Sequence, residues 1–170
     1  MPLPGFWAPL LFAGVSNVTG ALIPQGTGTV ITNYDTRTTA AADGTTSQAA
    51  SAATRHGVNA QNRYWGKDYG VGVTKYISKA TTHGSNNLGY HDGGAVSITI
   101  QLRADNSAPS AGTEGTLLGS ISFTQSATDE SAGRDITSTN TATAFRYVWV
   151  YISTAAAGNN MSLAECFFYE

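Results

Sequence analysis

The sequence contains few charged residues. Only 12% of its 170 residues are Asp, Glu, Lys or Arg, about half the share that is usual in soluble domains. The 9 basic and 11 acidic side chains give a net charge of −2, which is too small and too mixed in sign to attract a polyanion. The composition therefore predicts no nucleic acid partner, and the length predicts one domain with a real core.

Cysteine and long apolar runs are also scarce. The single cysteine, Cys166, lies inside a predicted strand, so no internal disulfide can form and a packed thiol is expected. The apolar run Leu10–Val15 is far shorter than the roughly 20 residues that a membrane helix needs. No Lys or Arg precedes this run and prolines interrupt it, which argues against a signal peptide. We expect neither membrane insertion nor an export signal.

Motifs for catalysis are missing as well. His56, His83 and His91 all fall in predicted loops, with no Gly-x-Ser-x-Gly, His-x-x-x-His or Cys-His arrangement nearby. The carboxylates are dispersed, and Asp129 and Glu130 are predicted to lie in a solvated loop. An active site needs a nucleophile with a base, or a carboxylate pair in one cleft. The sequence therefore predicts that the chain is not an enzyme.

The N-terminal segment, in contrast, is rich in large apolar residues. The stretch Pro4–Phe12 shows neither helical nor strand periodicity, yet several of its side chains are costly to leave in water. These are Phe6, Trp7, Leu10, Leu11 and Phe12. Because disordered tails are poor in such residues, we interpret residues 1–25 as an extended N-terminal arm rather than as disorder. The arm is expected to dock on its own domain or on a neighbouring subunit.

The strongest strand pattern lies near the C-terminus. In an extended chain Phe145, Tyr147, Trp149 and Tyr151 fall on one face, and Val148, Val150 and Ile152 fall on the other. Both faces are apolar, which is typical of a strand in the middle of a packed structure. A turn and a second strand, Met161–Tyr169, follow.

Further strands are predicted upstream from β-branched residues and alternating polarity. They are Thr27–Tyr34, Val71–Thr81, Val96–Ala104 and Thr116–Thr124, and Ile136–Asn140 leads into the aromatic strand. One helical turn is expected at Ala40–Asp43, and no long helix is indicated. Short strands separated by turns predict an all-β antiparallel sandwich over residues 26–170.

Three short motifs occur in an order that resembles a known family. They are Ala41-Ala42-Asp43-Gly44, then Trp65-Gly66-Lys67-Asp68-Tyr69-Gly70, and finally the strand from Phe145 followed by Ser162-Leu163-Ala164-Glu165. Together they resemble the discoidin or coagulation-factor C-type domain, which has a galactose-binding-like jelly-roll fold. The resemblance covers roughly residues 20 to 170 and is greatest to copies carried on bacteriophage virion proteins. It implies that Trp65 packs inward.

The resemblance also implies a calcium site. Asp43 and Glu165 match the aspartate of the Asp-Gly loop and the glutamate of the final strand, which in such folds often bind calcium together with backbone carbonyls. The alternative is that Asp43 caps a turn while Glu165 accepts hydrogen bonds from the same loop, without any metal. The sequence leaves both interpretations open.

A sugar site in such a fold would use the loops at one end of the sandwich. The candidates, taken from their loop positions, are Arg55, His56, His83, Asn86, Asn87, Tyr90 and His91. The loop from His83 to Gly94 contributes most of them, and its composition suits ligand contact and ordinary turns equally well.

Two functions follow as hypotheses. The first is a structural protein of a bacteriophage virion, a capsid decoration or a tail or fibre component, bound through its arm to other virion proteins and forming a homo-oligomer. The alternative is a glycan- or receptor-binding module for attachment to host cells. The low charge and the apolar arm favour the structural role, because both are typical of lasting subunit contacts. The two functions are compatible in one protein.

Overall fold

A computed structural model describes residues 20–56, 62–126, 130–156 and 160–170, with only the backbone of His56 included. The strands of this part are β1 Thr29–Thr32, β2 Thr54–His56, β3 Asn62–Asp68, β4 Lys75–Tyr76, β5 Lys79–His83, β6 Ser97–Asp105, β7 Thr116–Thr124, β8 Arg134–Thr137, β9 Ala144–Phe145, β10 Tyr147–Thr154, β11 Met161–Leu163 and β12 Glu165–Tyr169. A single 3-10 turn spans Ala40–Ala42. Among the residues described, no helix is long and apolar enough to cross a bilayer.

The strands form an antiparallel sandwich, as expected. One sheet has five strands in the order β1-β3-β10-β6-β7, and another has three in the order β12-β5-β8. Two further pairs, β11-β2 and β4-β9, complete the strands. All of these neighbours pair antiparallel. The predicted all-β class is therefore confirmed.

The aromatic strand β10 lies at the centre of the five-stranded sheet. It pairs with β3 on one side and with β6 on the other. Its inner face adds Val148, Val150 and Ile152 to the main core, and its outer face adds Tyr147, Trp149 and Tyr151 to a second cluster. Both faces are thus removed from water, which explains why neither face of the strand carries charged residues.

A loop, not a second sheet, covers the outer aromatic cluster. Residues 106–115 fold over it, and the indole of Trp149 donates a hydrogen bond to the Gly112 carbonyl at 2.8 Å. Gly112 has a φ of +86°, and a Cβ there would lie 2.7 Å from Cδ1 of Tyr64. This loop can approach the rings so closely only because the residue has no side chain.

The predicted alternation fails at Phe145. Strand β9 pairs with β4, whereas β10 begins only after Arg146. The Arg146 guanidinium turns away to form two hydrogen bonds with Asp68, at 2.7 and 2.8 Å, and this ion pair lowers the pKa of the Asp68 carboxyl. This interruption shifts the alternation of side chains between the two faces of the sheet. Phe145 therefore packs in the main core and not beside Tyr147.

Two other local predictions are wrong. The continuous strand expected over Val71–Thr81 is broken, because Gly70 and Gly72 adopt positive φ angles of 98° and 77° in a turn, and Val71 is 87% exposed. Glu130, expected in a solvated loop, is buried and pairs with Arg134 at 2.7 Å. Its neighbour Asp129 lies outside the described residues.

The described end of the predicted arm runs beside the last strand. The backbone N–H of Ile23 donates to the Phe168 carbonyl at 2.9 Å, and that of Glu170 donates to Ala21 at 3.0 Å. Ile23 is buried in the main core. Residues 20–25 therefore pack against the sandwich, and the docking residues Phe6, Trp7, Leu10, Leu11 and Phe12 lie outside the described part of the chain.

Candidate functional site

The loops at one end of the sandwich gather most of the predicted sugar-site residues. At this end, called here the loop end, β1 and β5 finish and β3 and β6 begin. The short pair β2-β11 holds the loops together, with Arg55 opposite Ser162 in register. Isolated bridges join Thr36 to Arg55 and His91 to Met161. The backbone therefore fixes the positions of these distant segments relative to one another.

Asp92 is the centre of the polar contacts at the loop end. Its carboxylate accepts hydrogen bonds from the backbone N–H of Asn160 at 2.7 Å and from the side-chain amide at 2.6 Å. It also forms an ion pair with Arg55 at 3.4 Å. The Arg55 side chain remains 29% exposed and that of Asp92 17%. A guanidinium has five N–H donors, and among the described residues the side-chain partner of Arg55 is Asp92, so further donors can face a ligand.

Asn86 and Asn87 lie at the same end and are exposed. The Asn86 side chain donates to the Ser47 hydroxyl at 3.2 Å, while Asn87 accepts a hydrogen bond from the Ala50 backbone at 2.9 Å. These contacts attach the loop after β5 to the segment before β2. Each carboxamide is thereby held at the surface, where it can exchange hydrogen bonds with a polar ligand.

The remaining candidates of the His83–Gly94 loop are buried. Tyr90 is inaccessible to solvent, and its hydroxyl donates to the Thr82 carbonyl at 2.9 Å. His91 is also inaccessible, and burial lowers the pKa of its imidazole. His83 is nearly buried, and its Nδ1 lies 2.7 Å from the Ser131 carbonyl. These three side chains support the loops and offer little or no surface for a direct sugar contact.

Gln125 organises this loop in a way that the sequence did not reveal. Its carboxamide oxygen accepts hydrogen bonds from the backbone N–H groups of Tyr90 and His91, at 2.9 and 3.0 Å. Its nitrogen donates to the carbonyls of His91 and Gly94. A buried amide that satisfies four backbone groups fixes a loop that has no strand pairing of its own over residues 92–96. The last sequence candidate, His56, ends β2 opposite Met161.

The predicted calcium residues, Asp43 and Glu165, lie within one hydrogen-bonded network. Asp43 accepts hydrogen bonds from the Thr45 backbone and from the Gln48 side chain. Glu165 is fully buried, and burial raises the pKa of its carboxyl, with smaller opposing effects from backbone donors. Its oxygens accept hydrogen bonds from Gln25 at 2.9 Å, from the Cys166 backbone at 3.0 Å and from the Gly44 backbone at 2.5 Å.

This network matches the alternative in which the carboxylates support the loop. All four carboxylate oxygens of Asp43 and Glu165 already accept N–H donors. Calcium prefers six to eight oxygen ligands, and within the described part of the chain no three or more His, Cys, Asp or Glu side chains are grouped to hold a metal. The Lys67 ammonium lies beside this network. It donates to the Gln25 carbonyl at 2.8 Å, and the Gln25 side chain donates to Glu165. The Asp-Gly loop is therefore held by hydrogen bonds within the protein, and the calcium site stays a prediction.

Lys67 lies in the core, although lysine side chains are usually exposed. It faces inward from β3 and is nearly buried, and burial lowers the pKa of its ammonium while nearby Cys166 and Glu165 oppose that effect. Trp65, two residues earlier, is fully buried as expected and donates to the Thr38 carbonyl at 2.7 Å. Cys166 is a free, buried thiol, also as expected. The alternation of β3 is the signal that would have placed Lys67 inside.

Comparison with known proteins gives a structural relationship. No protein-family model and no curated protein matches the sequence. Among solved structures, a mutant of the lectin-binding domain of lectinolysin in complex with Lewis b matches with a TM-score of 0.57 at 16% identity, covering 89% of this chain and 99% of that one. The module CpGH89CBM32-5 from Clostridium perfringens, in complex with GalNAc-β-1,3-galactose, gives 0.57 at 14% identity and covers 88% and 100%.

A longer protein contains the same fold. The GH29 fucosidase E1_10125 of Ruminococcus gnavus, in complex with fucose, matches with a TM-score of 0.54 at 12% identity over 84% of this chain. The chain corresponds to 25% of that enzyme's length. Identities this low establish the fold and leave the ligand undetermined. The sheet order, the antiparallel pairing and these matches together show that the chain has the discoidin-like, galactose-binding-like jelly-roll fold.

Proposed function

We propose that the chain is a non-catalytic glycan-binding module and that the loop end is its binding surface. The observation that carries this proposal is the Asp92 cluster, which holds the Arg55 guanidinium at the surface by an ion pair at 3.4 Å. Asn86 and Asn87 are exposed on the same set of loops. Planar side chains that are held in place can bind the paired hydroxyls of a sugar ring with little loss of side-chain conformational entropy.

The surface chemistry favours a neutral sugar over an ion. Arg55 is already paired with Asp92, and Asp92 is bonded to Asn160 as well, so the cluster carries donors and acceptors with little net charge. The structures that share the fold were solved with Lewis b, with GalNAc-β-1,3-galactose and with fucose. Galactose- and fucose-containing oligosaccharides are therefore the first ligands to test.

Titration calorimetry with such oligosaccharides tests the proposal. The double variant Arg55→Ala/Asn86→Ala removes a charged donor and a carboxamide, and a hydrogen bond to a charged group contributes about 1.5–3 kcal/mol. We expect the affinity to fall at least about tenfold, while Leu117→Ala, which changes an exposed residue on β7, leaves it unchanged. Equal affinity for the double variant and the wild type would remove the loop end from glycan recognition.

A structural role in a bacteriophage virion is a second and compatible proposal. It rests on the low charge of 12% and on the apolar segment Phe6–Phe12, which suit contacts with other virion proteins or with further copies of the chain. Deleting residues 1–14 should leave the sandwich folded, since Ile23 provides the described contact to the core, and should abolish incorporation into the particle. Normal incorporation of the shortened chain would contradict this role.

A further inference from the structure

A pocket lies at the opposite end of the sandwich from the Asp92 cluster. Its volume is about 340 Å³, within the range of about 300–1,000 Å³ that is usual for small-molecule sites. It is lined by Tyr76, Ser78, Thr137, Ser138, Thr141 and Glu170. These residues come from the end of the molecule at which β4 and β5 begin and β8 and β12 finish.

The backbone beneath this pocket is rigidly connected. The N–H of Ser78 donates to the Tyr169 carbonyl, and the N–H of Ser138 donates to the Ser78 carbonyl, both at 2.8 Å. Strand β4, which carries Tyr76, is paired with β9. The pocket is therefore preformed by main-chain hydrogen bonds between three different segments, which lowers the ordering cost of binding a ligand.

Tyr76 gives the pocket an aromatic wall. It is 54% exposed. Among the exposed large hydrophobic residues of the described part of the chain, it is the one aromatic residue. An exposed tyrosine offers a flat apolar face together with a polar hydroxyl at its rim. Such a face suits the C–H surface of a sugar ring.

The polar groups of the pocket complement hydroxyls. The Ser78 hydroxyl donates to the Tyr169 carbonyl at 3.1 Å, which leaves its oxygen lone pairs to accept from a ligand. The Glu170 carboxylate is held by Lys75 at 2.8 Å, so it presents a neutralised acceptor. Because Lys75 balances the charge of the Glu170 side chain, this acceptor suits the hydroxyl groups of a neutral ligand.

We propose that this pocket is a second saccharide site, which binds one neutral sugar residue stacked on Tyr76. The inference stands on the pocket's own geometry and does not depend on the loop end. If both sites are filled, a single chain joins two glycan chains, because the sites face opposite ends of the sandwich. The chain would then cross-link glycans on two facing surfaces, and it would gain no avidity on a single surface.

The test is an NMR titration of the wild-type chain with galactose, glucose, fucose and N-acetylglucosamine, with glucuronate as the charged comparison. Saturable shifts of the Ser78 and Ser138 amides are expected with at least one neutral sugar. Tyr76→Ala should weaken this binding about tenfold, and Tyr76→Phe, which keeps the ring, should bind like the wild type. Thermal melting of both variants checks that the fold is intact.

The outcomes separate the two sites. Shifts confined to Arg55, Asn86 and Asp92 would overturn the second site while supporting the loop end. Shifts at Ser78 that persist in a folded Tyr76→Ala variant, or that favour glucuronate over every neutral sugar, would overturn the stacked neutral sugar. An absence of shifts at Ser78 and Ser138 with every sugar would overturn the second site, whatever the loop end binds.

Discussion

Replacing Glu165 by alanine tests whether this buried carboxylate supports the Asp-Gly loop. In the folded chain its oxygens accept hydrogen bonds from Gln25, Gly44 and Cys166, and no solvent reaches the side chain. Truncation leaves the Gly44 and Gln25 donors without their acceptor. A fully buried donor left unsatisfied costs about 1–3 kcal/mol. Both of these hydrogen bonds are partly buried, so water and the relief from burying the carboxylate offset part of that cost.

We expect Glu165→Ala to lower the free energy of unfolding by about 2–4 kcal/mol. For a domain of this size that loss corresponds to a fall in Tm of roughly 4–16 °C. Urea unfolding followed by far-UV circular dichroism measures it, and an unchanged m-value would show that the unfolded state is not altered. The matched control Glu170→Ala removes a carboxylate paired at the surface with Lys75, which is worth about 0–1 kcal/mol. A loss below about 1 kcal/mol for Glu165→Ala would show that Glu165 does not support the loop.

The same residue predicts a pH dependence. Burial raises the pKa of Glu165 in the folded state, so the folded chain holds this proton more tightly than the unfolded chain does. The stability that this proton contributes is present at low pH and is lost as the pH rises through the folded pKa. Glu165→Gln lacks the titration, so the wild type should lose stability relative to this variant as the pH rises. A difference that is constant with pH would contradict the buried, ionisable carboxyl.

Further predictions concern the sheet, its covering loop, the metal and the loop end. Gly66→Ala should destabilise by about 3 kcal/mol or more in urea unfolding, because a Cβ there would lie 2.1 Å from the Val148 carbonyl oxygen; near wild-type stability would mean that the sheet adjusts. Hydrogen bonds from the loop over Trp149, chiefly from Ser110, lower the pKa of Glu114 to about 2. The carboxylate therefore stabilises this loop less as the pH falls from about 4.5 towards 2, and the Trp149 indole N–H should exchange faster with solvent. In Glu114→Gln the indole N–H should already exchange fast. Thermal melting should be the same with calcium and with chelator, since N–H donors occupy the carboxylates of the Asp-Gly loop; a rise in Tm with calcium would restore the metal. Asp92→Ala should weaken glycan binding in calorimetry while it lowers Tm only slightly, because Asp92 positions surface groups and not core ones.

The strands could be predicted well where their environment was uniform along their length. The strand predicted over Thr116–Thr124 has those bounds in the structure, and Val96–Ala104 is shifted by one residue to Ser97–Asp105. The prediction failed where one residue interrupted the pattern. Arg146 donates its hydrogen bonds to Asp68, which is 78 positions away in the sequence, and periodicity cannot reveal such a distant partner.

The candidate site was predicted as a region more than as a set of contacts. The sequence indicated the His83–Gly94 loop, and the structure places Asn86 and Asn87 of that loop at the surface. It did not identify Asp92 or Asn160, because their hydrogen bond joins residues 68 positions apart. Burial of Tyr90 could not be read from loop composition either, since aromatic residues suit both a binding surface and a core.

The most direct test of the glycan-binding proposal is a broad glycan array probed with the purified, folded wild-type chain, in calcium and in chelator. We expect selective binding to a defined group of neutral glycans, with the same pattern in both buffers. Absence of binding to every glycan, from a chain whose circular dichroism and melting show it to be folded, would contradict it. The jelly roll would then serve contacts with other proteins and not with sugars.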